Sequence, residues 1–228
     1  MSLPDGVKTV ADRLRAARLN PQEDKIRRRV LSILALGVTP TVSILAERCE
    51  IAPDHIREIL GRLAAIDLLL VDATAEIVLA AYPFSAAPTP HRVRLIGREV
   101  FALCAVDALG IPAMLQEGAC ISSQCGHCGS PVQIQAQPEQ LTRHLPSEIV
   151  VWFPISEGDC CPVAQSRCPN ISFFCTSDHL ETWWRGNGQP PGLVLSLLEA
   201  FEAGREIFGS LLAQPSTRYA RRRSWRSR

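Results

Sequence analysis

Cysteine is the residue type whose number and clustering suggest chemistry in this chain of 228 residues. Eight of the nine cysteines fall between residues 104 and 175. The chain opens on a charged, amphipathic stretch and not on an apolar leader, so we expect a cytoplasmic protein whose thiols stay reduced. An odd number of cysteines in that setting argues against a disulfide framework and favours metal or thiolate chemistry.

The first candidate site pairs Cys104 with Asp107 in an apolar stretch. We predict a helix over residues 98–109, ended by Gly110 and Pro112. Residues three apart share one face of a helix, which would place this thiol and this carboxylate side by side. Taken alone, the stretch favours a buried cysteine beside a carboxylate that points outward, because buried free cysteines are common.

The second candidate is the Cys-Gly-His-Cys motif that runs from Cys125 to Cys128. A redox dithiol needs a helix N-terminus to lower the pKa of its first thiol, whereas a strand-like segment follows this motif. A zinc knuckle suits the Gly-rich turn better, but it needs two further ligands and the sequence has no second Cys-x-x-Cys. A structural zinc site therefore remains an alternative that is not favoured. Its candidate further ligands are Cys120, Cys160 and Cys161.

The elements that would position these groups fall into two parts. Residues 1–83 show helical periodicity followed by two short apolar strands, which is the order of a winged-helix-like domain with Cys49 in its core. A linker with two prolines, residues 84–91, precedes a catalytic domain over residues 92–213. The basic, Arg-rich tail at 214–228 is expected to be disordered and is given no function.

The second part mixes strand and helix patterns. Its predicted elements are a strand at 91–97, a hairpin around the Cys125–Cys128 turn, strands at 148–155 and 171–175, a helix capped by Ser177 and a closing helix at 193–212. The predicted fold class is α+β, with an N-terminal winged-helix-like helical domain followed by a mixed catalytic domain of antiparallel strands and flanking helices.

The charges of the first part bear on nucleic-acid binding. The second helix of its predicted helix-turn-helix offers Arg57 and Arg62 but also Asp54 and Glu58, so the surface is mixed and not basic. DNA is therefore not an expected partner. A membrane partner is not expected either, because no run of roughly 18 apolar residues occurs.

Four segments in order over about residues 92–212 resemble the organomercurial (alkylmercury) lyases: VFALCAVDALGIPAML, ISSQCGHCGSPVQI, SRCPNISFF and LVLSLLEAFEAGREIFGSLL. The resemblance implies that Cys104 and Cys168 are the catalytic cysteines, which bind mercury of substrate and product. It also implies that Asp107 is the catalytic acid and a further candidate metal ligand, and that Cys125 is structural. The chain departs from the family pattern just after the second catalytic cysteine, at Pro169, Asn170 and Ser172.

The reaction implied by this resemblance is protonolysis of R–Hg⁺ to a hydrocarbon and Hg(II). Thiolates match soft mercury, and a nearby acid supplies the proton to carbon. No organic cofactor is expected; the expected partners are the organomercurial substrate, low-molecular-weight thiols and a mercuric reductase that receives Hg(II). Arg167 could favour the Cys168 thiolate or could simply face solvent. The alternatives are a thiolate metal-sensing winged-helix transcriptional regulator, or a lyase-fold protein with a different substrate or a metal-binding role.

Overall fold

The computed structural model describes residues 15–155, 163–188 and 191–212. Most of the predicted N-terminal helix, Cys160, Cys161 and the Arg-rich tail lie outside these residues. The described helices are α1 (Pro21–Leu34), α2 (Val42–Cys49), α3 (Pro53–Ala65), α4 (Ala105–Leu115), α5 (Val163–Ser166), α6 (Ser177–Asn187) and α7 (Leu197–Phe208). The strands are β1 (Leu69–Val71), β2 (Val78–Ala81), β3 (Phe84–Ser85), β4 (Arg92–Leu95), β5 (Arg98–Ala102), β6 (Ala119–Gln124), β7 (Pro131–Ala136), β8 (Leu141–Leu145), β9 (Val150–Pro154), β10 (Phe173–Phe174) and β11 (Gly192–Ser196).

Three helices and a hairpin form the N-terminal part. Helix α1 begins at a capping box, in which Asn20 Oδ1 accepts the Glu23 N–H and the Glu23 carboxylate accepts the Asn20 N–H, both at 2.9 Å. The apolar faces of α1, α2 and α3 are buried, and Cys49 is buried with them, as predicted. The antiparallel pair β1–β2 follows. The order of helices and strands is the predicted one, and the winged-helix assignment stays a prediction.

One antiparallel sheet connects the two parts of the chain. Its strand order is β1-β2-β3-β5-β4-β6-β7-β8. Strand β3 lies inside the segment 84–91 that the sequence predicts to be a linker. Phe84 pairs with Ala81 of β2 and with Ala102 of β5, and its side chain is fully buried. The sheet therefore runs without a break from the N-terminal hairpin into the second part.

Two predicted helices are shorter than expected because strands occupy their first residues. Residues 98–102 form β5, paired with β4, and the helix starts only at Ala105. It then continues through Gly110 and Pro112 to Leu115, so neither residue ends it. Likewise residues 192–196 form β11, paired with β9, before α7 begins. In both places pairing with a neighbouring strand outweighs helix propensity.

The second sheet and the closing helices complete the fold. This sheet has the order β10-β9-β11 and is antiparallel, so the predicted α+β class with antiparallel strands is confirmed. Helix α6 is capped by Thr176 and not by Ser177 as predicted, because the Thr176 hydroxyl accepts the His179 N–H at 3.2 Å. Among the described helices, none is long and apolar enough to span a lipid bilayer.

Helices α4 and α7 pack backbone against backbone. A Cβ on Gly204 would stand 2.7 Å from both the Gly110 nitrogen and the Val106 carbonyl oxygen, and a Cβ on Gly110 would meet the Gly204 carbonyl at the same distance. Only glycine at both positions permits this approach. The contact fixes α4, whose first turn carries the first candidate site.

Candidate active site

Cys104 and Asp107 meet at the N-terminus of α4. Cys104 has an extended backbone and is the N-cap of the helix. Its Sγ accepts a hydrogen bond from the Asp107 N–H at 3.3 Å, a role that Ser, Thr or Asp oxygen atoms usually fill. The proximity of the two residues thus comes from a capping interaction, and not from a shared face of a longer helix.

Cys168 reaches the same point from a distant part of the sequence. It begins a 3₁₀ turn, Cys168–Asn170, which the hydrogen bond from Ile171 N–H to the Cys168 carbonyl closes at 3.1 Å. The Ile171 carbonyl in turn accepts the Ala105 N–H at 3.0 Å. Because Ala105 is the first residue of α4, this bond fixes the Cys168 turn against the start of the helix.

The three side chains form one buried cluster. Candidate ligand atoms of Cys104, Asp107 and Cys168 lie within 4.8 Å of one another. The Cys168 thiol donates to Asp107 Oδ2 at 3.8 Å, and each of the three residues is at most 4% exposed. The cluster therefore brings together the three residues that the sequence resemblance singles out.

An apolar pocket, partly open to solvent, leads to the cluster. Val106, Phe153 and Phe208 line it from the second part of the chain, and Ile66 and Leu68 line it from the first. Apolar walls lower the local dielectric, so charged groups in the pocket are less stable and contacts between opposite charges are stronger.

Burial decides the protonation of the cluster. Desolvation raises the pKa of Asp107 to about 7, although hydrogen bonds from the two thiols oppose the shift. Burial also raises the pKa of Cys104 well above its ordinary range. At Cys168 a hydrogen bond with Cys104 lowers the pKa, but burial and the Asp107 charge outweigh it and the net shift is upward. At neutral pH the cluster holds two thiols and a carboxyl group near its titration midpoint.

Two polar pocket residues were missed by the sequence analysis. The Tyr82 hydroxyl donates to Asp67 Oδ1 at 2.9 Å and accepts the Ala164 N–H at 2.7 Å. Burial raises the pKa of Tyr82, so its hydroxyl stays protonated. Both residues lie in the first part of the chain, where only an apolar wing was predicted, and no motif marked them. Arg167 also lines the pocket and is half-buried, and its effect on Cys168 stays a prediction.

Cys125 and Cys128 lie elsewhere, at the turn between β6 and β7. Cys125 is buried and Cys128 is exposed. Their candidate ligand atoms group with those of Cys175 and His179 and not with the pocket cluster. Cys120, a predicted further ligand, is exposed on β6 and belongs to neither group.

Two buried thiols beside a carboxyl group lie at the end of an apolar pocket, and sulfur is the ligand type that soft metal ions prefer. The family model for alkylmercury lyase (MerB) matches residues 84–209. The chain therefore belongs to the alkylmercury lyase family, enzymes that cleave carbon–mercury bonds. The family predicted from the sequence is confirmed, and this membership favours a lyase over a metal-sensing regulator.

Named relatives agree with the family match. The chain is 30% identical over 185 residues to an alkylmercury lyase of Streptomyces lividans, covering 81% of this chain and 82% of the relative. It is 28% identical over 180 residues to an alkylmercury lyase of Staphylococcus epidermidis, covering 79% and 80%. A crystal structure of the mercury-bound form of MerB2 superimposes with a TM-score of 0.77 at 23% identity, covering 92% of this chain and 100% of that one. This last likeness concerns the fold.

Proposed function

We propose that this protein is an organomercurial lyase that cleaves R–Hg⁺ by protonolysis to a hydrocarbon and Hg(II). The observation that carries the proposal is the buried contact of Cys104, Asp107 and Cys168 at the end of an apolar pocket. In this proposal the two sulfurs bind mercury and the carboxyl group moves the proton. The mechanism uses side chains alone and needs no organic cofactor.

The first step is a thiol exchange. The substrate arrives as an adduct with a low-molecular-weight thiol, R–Hg–SR′. At rest burial keeps Cys104 a thiol, and the Asp107 N–H and the N-terminus of α4 would offset part of that cost as negative charge develops on its sulfur during the exchange. The Cys104 sulfur bonds to mercury, R′SH leaves with the displaced proton, and R–Hg remains attached to the enzyme.

The second step is proton transfer to carbon. Cys168 passes its proton to Asp107 Oδ2, to which it already donates a hydrogen bond, and the resulting thiolate becomes the second sulfur ligand of mercury. Two sulfur donors increase the carbanion character of the bound carbon. Asp107 then protonates that carbon, the carbon–mercury bond breaks and R–H leaves. The carboxylate is regenerated and mercury remains bonded to two sulfurs.

The pocket supports both steps. Its apolar wall, which includes Val106, Phe153 and Phe208, would hold the organic group R. The same wall keeps the pKa of Asp107 near 7, so that the group can accept a proton and return it at neutral pH. External thiols would then extract Hg(II), and a mercuric reductase is the proposed recipient. Residues 1–83, which we take to be winged-helix-like, would serve as one wall of the pocket and not as a DNA reader.

Hydrocarbon release tests the proposal directly. Purified protein is incubated with phenylmercury or methylmercury and excess thiol, and benzene or methane is measured by gas chromatography. We expect catalytic release, with many turnovers for each protein molecule. Failure of the folded, fully reduced protein to release either hydrocarbon above the thiol-only control would overturn the proposed activity.

A further inference from the structure

Four metal-ligating side chains meet at a second place in the fold, away from the pocket cluster. Cys125 and Cys128 flank the turn between β6 and β7, Cys175 follows β10, and His179 lies in the first turn of α6. Their candidate ligand atoms all lie within 4.8 Å of one another. The proposed lyase mechanism uses none of them.

The distances within this group match those of one tetrahedral metal site. The Cys125 sulfur lies 3.6 Å from His179 Nδ1, and the sulfurs of Cys128 and Cys175 lie 4.0 Å apart. With Zn–S bonds of about 2.3 Å and a Zn–N bond of about 2.0 Å, tetrahedral angles place two sulfurs about 3.8 Å apart, and a sulfur and a nitrogen about 3.5 Å apart. A disulfide between Cys128 and Cys175 would need an S–S distance of about 2.05 Å, so these cysteines are not bonded to each other.

The backbone around Cys125 is arranged to stabilise a metal-bound thiolate. Its sulfur accepts the Cys175 N–H at 3.4 Å and hydrogen bonds from the backbone of His127 and Cys128. Gly129 has φ +71°, which closes the turn behind Cys128 in a conformation that glycine adopts most easily. Peptide N–H groups directed at a ligating sulfur fix its position and stabilise its negative charge.

The turn is also tied to the segment that carries Cys168. The Gly126 N–H donates to the Phe173 carbonyl at 2.9 Å, five residues beyond Cys168. A small apolar cluster of Cys125, Trp152, Phe174, Cys175 and Leu180 covers the inner side of the site, with Trp183 packed against it. A metal here would therefore fasten three elements to one another: the β6–β7 turn, β10 and α6.

We infer that Cys125, Cys128, Cys175 and His179 bind one structural zinc ion. Three thiolates and one imidazole are a common ligand set of structural zinc sites. With four protein ligands the tetrahedron is closed, so the ion keeps no position for substrate and acts on stability. Of the candidate further ligands named in the sequence analysis, Cys120 belongs to neither group of candidate ligand atoms, and Cys160 and Cys161 lie outside the described residues.

Metal analysis of the full chain tests this inference. Protein produced with zinc, without mercury and under reducing conditions should contain about one zinc per chain after desalting. Cys128→Ser and His179→Ala should each lower that content several-fold. The matched controls are Cys120→Ser, which changes an exposed cysteine on the adjacent strand, and His127→Ala, which changes the other histidine of the turn. Both controls should keep zinc at the wild-type level.

Cobalt substitution supplies a second measurement that does not depend on the stability of the variants. Wild-type protein reconstituted with Co(II) should show the visible d–d and thiolate charge-transfer absorption of a tetrahedral thiolate site, and zinc should bleach it. Wild-type protein that holds no zinc and shows no such absorption overturns the inference, as does equal zinc content in all four variants. Protein that binds neither zinc nor Co(II) but still releases hydrocarbon overturns only this inference. Zinc-bound, folded protein that releases none overturns only the proposed function.

Discussion

The two cysteine clusters share sulfur but differ in number of ligands, burial and neighbours. The Cys104–Asp107–Cys168 cluster has two thiols and an acid, all buried at a pocket. The second cluster has three thiols and an imidazole at a hairpin turn, and Cys128 there is exposed. Four ligands complete the coordination of a metal, whereas two thiols leave room for a metal-bound carbon and an acid leaves a proton to give it. In the two proposals, a cysteine either holds a metal ion permanently or takes part in a reaction at the metal. The neighbouring side chains, imidazole and further thiols or a carboxyl group, decide which role it has.

Removing a pocket cysteine should have the largest effect. Cys104→Ala and Cys168→Ala are each expected to abolish turnover, because both sulfurs must bind mercury before carbon is protonated. Hydrocarbon release by gas chromatography measures the loss, and far-ultraviolet circular dichroism together with zinc content shows that the fold and the second cluster persist. Hydrocarbon release near the wild-type rate by either variant would contradict the proposal that the pocket cluster carries out the reaction.

Asp107→Asn should slow cleavage by about 10²-fold or more, the range for a lost general acid–base. Asparagine keeps the size and the hydrogen bonds of the side chain but cannot carry the proton. Because both thiols remain, mercury should stay on the desalted variant, as measured by elemental analysis. If binding is lost together with cleavage, Asp107 activates or positions Cys104 and is not simply the proton donor.

Cys125→Ser should act on stability and leave the chemical step alone. The substitution removes a ligand of the inferred zinc ion and leaves a buried hydroxyl that needs a new partner. The unpaired hydroxyl alone costs about 1–3 kcal/mol in the free energy of unfolding. Urea denaturation measures the loss, and Cys120→Ser, at an exposed position, is the control that should change stability by less than about 0.5 kcal/mol. A fully stable but inactive Cys125→Ser protein would contradict the structural role.

The last expected effect is a pH dependence of stability that arises from Asp107. Its pKa rises from 3.8 to about 7 on folding, so the folded chain holds this proton more tightly than the unfolded chain does. The resulting stabilisation is complete below pH 4 and is lost as the pH rises through 7. Asp107→Asn should therefore melt several degrees above wild type at pH 8 and close to it at pH 4. Calorimetry at both pH values checks this, and an equal difference at both would mean that Asp107 does not titrate near 7.

The members of the Cys104–Asp107–Cys168 cluster could be predicted from the sequence because they lie in ordered motifs, but the geometry of the cluster could not. Cys104 was predicted inside a helix, whereas it caps one, since residues 98–102 pair as a strand with β4. An apolar run of this length fits a strand or a helix equally well, and only the neighbouring strand decides. Pro112 was likewise predicted to help end the helix, but α4 continues through it to Leu115.

For the second cluster, the sequence showed one pair of ligands but not the residues that join them. The Cys125–Cys128 motif was visible, but its partners lie about 50 residues away, at Cys175 and His179. No second Cys-x-x-Cys marks them; the available signal was a cysteine and a histidine four residues apart at the start of a predicted helix. A contact between the two sheets joins the pairs: the Gly126 N–H of the turn donates to the Phe173 carbonyl of β10, and local sequence patterns do not report such a contact.

The pocket that Ile66, Leu68 and Tyr82 help to line has a consequence for how this protein can evolve. These three residues precede position 84, whereas the cysteines and the aspartate that face them follow it. A crossover between relatives near residue 84 would also combine β2 of one relative with β3 and β5 of the other, and these strands are neighbours in one sheet. We therefore expect that exchanging the first 83 residues between family members changes which organic groups fit, while the bond-breaking residues are inherited intact.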